Sequence, residues 1–81
     1  MSDQISDEIS KVVDAKGKSC PMPVLLARKG IDEIESGQIM LVESTDAGSK
    51  SDIPSWTRDM GHELMSSETA GPVFTYTIRK K

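Results

Sequence analysis

The feature that most constrains the fold is a segment bracketed by Pro21 and Gly37. Proline is favoured at the first position of a helix, where its missing N–H would have no helical partner, and glycine readily adopts the left-handed conformation that ends a helix. Apolar residues between them recur at helical spacing and fall within about 80° of one another around the helix axis. These residues are Val24, Ala27, Ile31 and Ile34. The sequence therefore predicts a helix over residues 21–36 that buries this stripe.

The residues on either side of this helix predict strands. Residues 9–14 contain Ile9, Val12 and Val13 and are typical of a short strand. Residues 38–44 include an unbroken apolar run at 39–42, which favours a strand buried on both faces. A strand, a helix and a strand in this order form a βαβ unit, in which the strands are parallel and the crossover is right-handed.

The second half of the chain predicts one more helix and two more strands. The helix begins within residues 46–51 and ends near Met60, and strands over 62–68 and 73–79 flank a turn at 69–72. In the last strand Phe74, Tyr76 and Ile78 alternate with a mostly polar set, which indicates one buried face.

The predicted fold class is α+β. The order βαβαββ predicts a two-layer α/β sandwich, with two helices on one face of a four-stranded mixed sheet. We expect a single domain over residues 9–81, preceded by a flexible N-terminus over residues 1–8.

Charge and hydropathy exclude several classes of function. Ten basic against thirteen acidic residues give a net charge of -3, which disfavours a surface that tracks nucleic-acid phosphates. The longest uncharged apolar run, residues 21–27, is far shorter than the roughly 20 residues of a membrane span. Asp3, Asp7 and Glu8 make the start of the chain unlike a signal peptide. We therefore expect no direct contact with nucleic acid or membrane.

The chain has one cysteine and one histidine, which rules out a disulfide framework and a cysteine-rich zinc site. We expect no metal and no cofactor. A free thiol suits a reducing compartment and predicts a cytoplasmic protein. A lone cysteine is commonly a small buried hydrophobe, but Cys20 precedes Pro21, which disfavours a helical conformation for it. The sequence therefore places Cys20 at the mouth of the first helix, off the buried stripe.

A helix N-terminus carries a partial positive charge, which favours a thiolate over a thiol. Cysteines in such surroundings have pKa values of about 3.5 to 7.5, against about 8.5 for free cysteine. We expect Pro21 and Pro23 to stiffen the turn, with Gly17 at the centre of the preceding loop. Nearby cations expected to stabilise the thiolate are Lys16, Lys18 and Arg28. A thiolate without a base, a second cysteine or a metal can still attack sulfane sulfur and hold it as a persulfide.

Met22, Leu25 and Lys29 lie on the helix face turned away from the buried stripe. Apolar side chains beside a reactive thiol suit a surface that docks a sulfur donor. The alternative for Leu25 is packing against the second helix. Structural roles are assigned to Asp14, Asp52, Trp56 and His62.

Several segments together resemble the TusA/SirA family of small sulfur carriers. They are Cys20-Pro21-Met22-Pro23 after Gly17, Asp52-Ile53-Pro54, Gly61-His62-Glu63-Leu64 and Ile78-Arg79-Lys80. The resemblance covers the chain from about Val12 onward and implies the same two-layer sandwich. It also implies that Cys20 carries persulfide sulfur. Ser51 and the pair Trp56-Thr57 depart from the family pattern at positions that affect the choice of partner.

The resemblance further implies the kinds of partner and pathway. The sulfur donor would be a cysteine desulfurase or a rhodanese-type protein, and the acceptor a DsrE/TusD-type or other protein. The sulfur would serve tRNA 2-thiouridine formation, molybdenum-cofactor supply or cytoplasmic sulfur metabolism.

The leading hypothesis is a monomeric cytoplasmic sulfurtransferase that works as a persulfide carrier through Cys20. A second hypothesis is a non-catalytic interaction or redox-regulatory module whose cysteine is idle or acts as a sensor. A third is a partner of a membrane transporter for sulfur compounds.

Overall fold

The structure, a computed structural model, describes residues 9–81; the predicted flexible segment 1–8 lies outside the described residues. The elements follow the predicted order βαβαββ. They are β1 (Ile9–Ala15), α1 (Met22–Ile31), β2 (Ile39–Ser44), α2 (Ser49–Asp59), β3 (Glu63–Ala70) and β4 (Val73–Arg79).

Within residues 9–81 the strands form one four-stranded sheet in the order β1-β2-β4-β3. β1 and β2 are parallel, and β4 is antiparallel to both β2 and β3. The first three elements therefore form the predicted βαβ unit. The chain then crosses through α2 to the far edge of the sheet, and β4 returns to fill the gap between β2 and β3.

The core lies between this sheet and the helices. Buried side chains from both helices and from alternate positions of three strands form one apolar cluster. Of the predicted α1 stripe, Ala27, Ile31 and Ile34 are buried, and Val24 is partly buried against them. In β4, Tyr76 and Ile78 are buried as the alternation predicted. The two-layer sandwich with a mixed sheet is thus confirmed.

The predicted end of α1 is wrong, because the helix stops at Ile31 rather than at Ser36. Past this point the Glu33 amide bonds to the carbonyl three residues back, at 3.0 Å. The Gly37 amide donates to the Lys80 carbonyl at 2.8 Å, in a left-handed conformation with φ 87°. The Gly37 amide thus pairs with the residue that follows β4, and it is not available for the hydrogen bond that would continue the helix.

The turn between β3 and β4 is also shorter than predicted. β3 runs to Ala70 and β4 starts at Val73, so only Gly71 and Pro72 connect them. Gly71 has φ 61°, which suits glycine at this tight turn. Pairing with β4 thus extends β3 through residues 69 and 70, which the sequence predicts as part of the turn.

Gly30 sets how closely α1 approaches the sheet. A Cβ atom at this position would lie 2.6 Å from Val13 Cγ2 and 3.0 Å from Met40 Sδ. Both neighbours are buried core side chains, and the contact with Val13 would be closer than Cβ atoms in proteins make. The helix therefore rests on β1 and β2 through a glycine backbone.

We predict that Gly30→Ala destabilises the protein by about 1–3 kcal/mol through overpacking, although alanine favours helices by about 1 kcal/mol. Chemical denaturation measures the change. Lys29→Ala, an exposed neighbour, controls for helix propensity and should leave the stability nearly unchanged. A Gly30→Ala protein as stable as the wild type would contradict the close packing.

Candidate active site around Cys20

Cys20 is an exposed free cysteine in the turn that leads into α1. The Met22 amide donates to the Ser19 carbonyl at 2.9 Å, and Pro21 lies at the N-cap position. Pro23 is buried, so the start of α1 is anchored to the body of the protein just beyond the cysteine. As predicted, the thiol lies at the mouth of the helix and not on its buried stripe.

Parallel pairing of β1 and β2 brings two loops together beside this turn. The carboxyl ends of the two strands lie at the same end of the sheet, where ligand sites of open α/β sheets tend to form. Gly17, in the loop after β1, donates its N–H to Thr45 Oγ1 after β2, at 2.9 Å. Gly17 has φ 81°, a conformation that a residue with a side chain rarely adopts. The loop that carries Cys20 is thereby tied to the segment that precedes α2.

The thiol lies against the start of α2 as well as that of α1. A Cβ atom at Gly48, the N-cap of α2, would lie 3.7 Å from Cys20 Cβ and 3.8 Å from Asp52 Oδ2. The nearest atom to such a Cβ is Asp46 Oδ2, at 2.8 Å, so a side chain at Gly48 would press on the Asp46 carboxylate beside the thiol. The sequence predicts that Cys20 lies at the start of one helix, α1, whereas in the structure it lies beside the starts of both α1 and α2.

Asp52 is the direct partner of the thiol. Cys20 Sγ donates a hydrogen bond to Asp52 Oδ2 at 2.9 Å, across 32 positions of sequence. Sequence reasoning assigned Asp52 only a favourable interaction with the α2 dipole. Two signals pointed to the contact: the Asp52-Ile53-Pro54 segment belongs to the family pattern, and parallel strands bring the starts of their following helices together.

The hydrogen bond from the Cys20 thiol to Asp52 raises the thiol pKa, and desolvation and the negative charges of Asp52 and Asp46 act in the same direction. The predicted lowering of this pKa by the helix N-terminus is therefore wrong in direction. A carboxylate in direct contact binds the thiol hydrogen and repels a thiolate, so it favours the protonated form of Cys20.

Of the predicted cations, Lys16 forms ion pairs with carboxylates. Lys16 Nζ bonds to Glu43 Oε1 at 2.9 Å and to Asp14 Oδ1 at 3.0 Å, and these contacts raise the lysine pKa. Lys18 is exposed, and Arg28 lies on α1 beside the groove described next. Stabilisation of a thiolate by these three residues stays a prediction.

A groove of about 540 Å³ runs between α1 and α2 from the Cys20 turn. Its lining residues are Pro21, Val24, Arg28, Asp52, Ser55, Trp56, Asp59 and Met60. On the neighbouring face of α1, Met22 is 39% and Leu25 45% exposed, and Lys29 is exposed too. Leu25 is therefore not packed into the core, and its role in docking stays a prediction.

The other polar and aromatic residues have structural contacts. The Trp56 ring packs at a tilt on His62, with ring centroids 5.7 Å apart, and His62 Nδ1 accepts the Lys81 amide at 3.0 Å. Burial is the main cause that lowers the His62 pKa. Over residues 9–81, no group of three or more His, Cys, Asp or Glu side chains could hold a metal ion.

Comparison with known proteins gives consistent results. The sequence model of the family described as "Sulfurtransferase TusA" matches residues 11–80. The chain is 43% identical over 70 residues to YrkI of Bacillus subtilis, covering 86% of this chain and 93% of that protein. It is 37% identical over 73 residues to the sulfur carrier protein TusA of Allochromatium vinosum, covering 90% of this chain and 96% of the relative.

A solved structure extends this similarity to three dimensions. The crystal structure of a SirA-like protein from Desulfitobacterium hafniense matches with a TM-score of 0.75 and 28% sequence identity. The match covers 85% of this chain and 95% of that chain. The structural match thus extends over most of the molecule, and the match to the family model, over residues 11–80, includes the Cys20 turn and the start of α2.

We predict that Asp52→Asn lowers the Cys20 thiol pKa, because the substitution removes the negative charge that opposes ionisation. The rate of alkylation by iodoacetamide follows the thiolate population. The midpoint of the curve of alkylation rate against pH should therefore move to lower pH. Glu68→Gln, an equal charge change at an exposed position of β3 outside the groove, should leave the profile in place. Identical profiles for wild type and Asp52→Asn would contradict the role of the hydrogen bond.

Proposed function

The chain belongs to the TusA family of sulfurtransferases, and from this premise we propose that Cys20 accepts sulfane sulfur as a persulfide and relays it to an acceptor protein. The observation that supports this most directly is the exposed thiol at the joint start of α1 and α2. The thiol is accessible to a partner, while the turn around it is held by Pro23 and by the Gly17–Thr45 contact.

The transfer is an exchange of thiol and persulfide. Cys20 Sγ attacks the terminal sulfur of a donor persulfide R–S–SH, and the donor S–S bond breaks. Its electron pair leaves with the donor thiolate, which takes up the proton from the Cys20 thiol. The products are Cys20–S–SH and R–SH, with no net oxidation. An acceptor thiolate reverses the process and regenerates Cys20.

The partners that fit this chemistry are a donor that presents a persulfide and an acceptor with its own thiol. We propose a cysteine desulfurase or a rhodanese-type protein as the donor and a DsrE/TusD-type or other protein as the acceptor. The pathway would be tRNA 2-thiouridine formation, molybdenum-cofactor supply or cytoplasmic sulfur metabolism. No described helix is long and apolar enough to cross a membrane.

The proposed carrier works as a monomer in the cytoplasm and has no direct contact with nucleic acid. A monomer fits because the same face must meet donor and acceptor in turn. Ser51 and Trp56 both lie on α2, and Trp56 lines the same groove as Pro21 and Asp52. Their departure from the family pattern thus falls where it would affect partner choice.

The redox-sensor alternative receives less support from the site. Sensor cysteines are typically accessible thiols of low pKa. Cys20 is accessible, but the hydrogen bond to Asp52 raises its pKa. The site therefore suits a thiol that reacts with a docked donor better than one that reacts with dilute oxidants.

The carrier function predicts a mass increase of about 32 Da, one sulfur atom, after incubation with a desulfurase and cysteine or with polysulfide. Intact mass spectrometry measures it, and dithiothreitol should remove the added sulfur. Cys20→Ser serves as the control and should gain no mass. Lack of an increase in the wild type, or an increase that persists in Cys20→Ser, would refute the carrier function.

The docking role of the α1 face predicts that Leu25→Asp slows sulfur acceptance from a protein donor about tenfold or more, since truncating a hot-spot residue costs about 2 kcal/mol or more. Loading by small polysulfide should stay unchanged because it needs no docking surface. Val12→Asp, at a strand position 56% exposed, tests for a general effect of added charge. Unchanged acceptance by a folded Leu25→Asp protein would exclude this face.

A further inference from the structure

The Asp52 carboxylate beside Cys20 interacts differently with a thiol and with a persulfide. Asp52 is half-buried in the first turn of α2, and its amide donates to the Gly48 carbonyl at 3.0 Å. The backbone that carries Asp52 is thus fixed, with the carboxylate 2.9 Å from Cys20 Sγ. The same carboxylate must face the sulfur in both states of the carrier.

In the unloaded state the contact is favourable. The thiol has a hydrogen and Asp52 Oδ2 accepts it, so a donor meets a charged acceptor at short range. This state is therefore stabilised by the negative charge of Asp52.

In the loaded state the same contact becomes unfavourable. Sγ is then bonded to Cβ and to the terminal sulfur, so it has no hydrogen to donate. A persulfide ionises more readily than a thiol, and its negative charge would lie close to the Asp52 carboxylate. Like charges at this range repel.

Charged groups of both signs come from the elements packed around the thiol. Asp46, in the segment before α2, adds negative charge at Cys20. From the loop after β1, Lys16 is engaged by Glu43 and Asp14. Arg28 on α1 lines the same groove as Asp52, and the exposed Lys18 belongs to the loop itself.

We propose that Asp52 stabilises the unloaded form of Cys20 relative to the persulfide, and so makes the carrier release its sulfur readily to an acceptor. This inference rests on the proposed persulfide function of Cys20. Asp52 acts here as a positioning and charge-setting residue for Sγ, and it takes no sulfur itself. A docking surface that presents a cation to Asp52 would favour loading, whereas one that leaves the carboxylate free would favour delivery.

The test measures the exchange equilibrium of the full chain with glutathione persulfide and glutathione, read as the loaded fraction by intact mass. Asp52→Asn keeps the shape of the side chain and removes its charge. We expect it to raise the loading equilibrium constant about two- to fivefold near pH 7.5, the range of an exposed charge interaction. The difference in the loading equilibrium constant between Asp52→Asn and the wild type should become smaller in 1 M salt, where the screening length falls to about 3 Å.

Glu68→Gln is the matched control, because it removes one acidic charge from an exposed position of β3, outside the groove beside Cys20. It should load like the wild type. Equal loading of wild type and Asp52→Asn, or weaker loading of Asp52→Asn in a folded protein, would overturn the inference and leave the carrier function standing. Absence of loading in the wild type would instead overturn the proposed function, and the inference with it.

Discussion

Parallel pairing of β1 with β2 is the constraint on which the site depends. Because the two strands run in the same direction, both end at the same end of the sheet. Each strand is followed by a helix, β1 by α1 and β2 by α2. The starts of α1 and α2 are thereby brought side by side. Cys20 and Asp52, far apart in sequence, meet at 2.9 Å because of this geometry.

The position of α2 is fixed by buried polar contacts behind the site. The hydroxyls of Ser49 and Tyr76 hydrogen bond at 2.9 Å, and Ser49 Oγ donates to the Asp46 carbonyl at 2.7 Å. Asp46 in turn donates its amide to Ser44 Oγ at 3.1 Å. Buried hydrogen bonds of this kind cost stability when broken, because the remaining groups lose water without gaining a partner. The start of α2, and Asp52 with it, is thus linked to β2 and β4.

The sequence predicted best what depends on local periodicity. The alternation of Phe74, Tyr76 and Ile78 predicted the bounds and the buried face of β4 correctly. The end of α1 depended instead on a distant partner, since the Gly37 amide pairs with Lys80. No window of sequence around residues 31–37 contains that partner, so local periodicity predicts too long a helix.

The same distinction separates the position of the thiol from its chemistry. Pro21 alone predicts that Cys20 lies at a helix mouth, because the effect of proline on the preceding residue is local. The pKa of the thiol depends on which charge contacts it, and Asp52 comes from another element. For a carrier, strong activation of the thiol is not the main requirement: sulfur must be accepted from one partner and surrendered to the next. The Asp52 carboxylate, which accepts the thiol hydrogen, comes from a part of the chain that no sequence window around Cys20 contains.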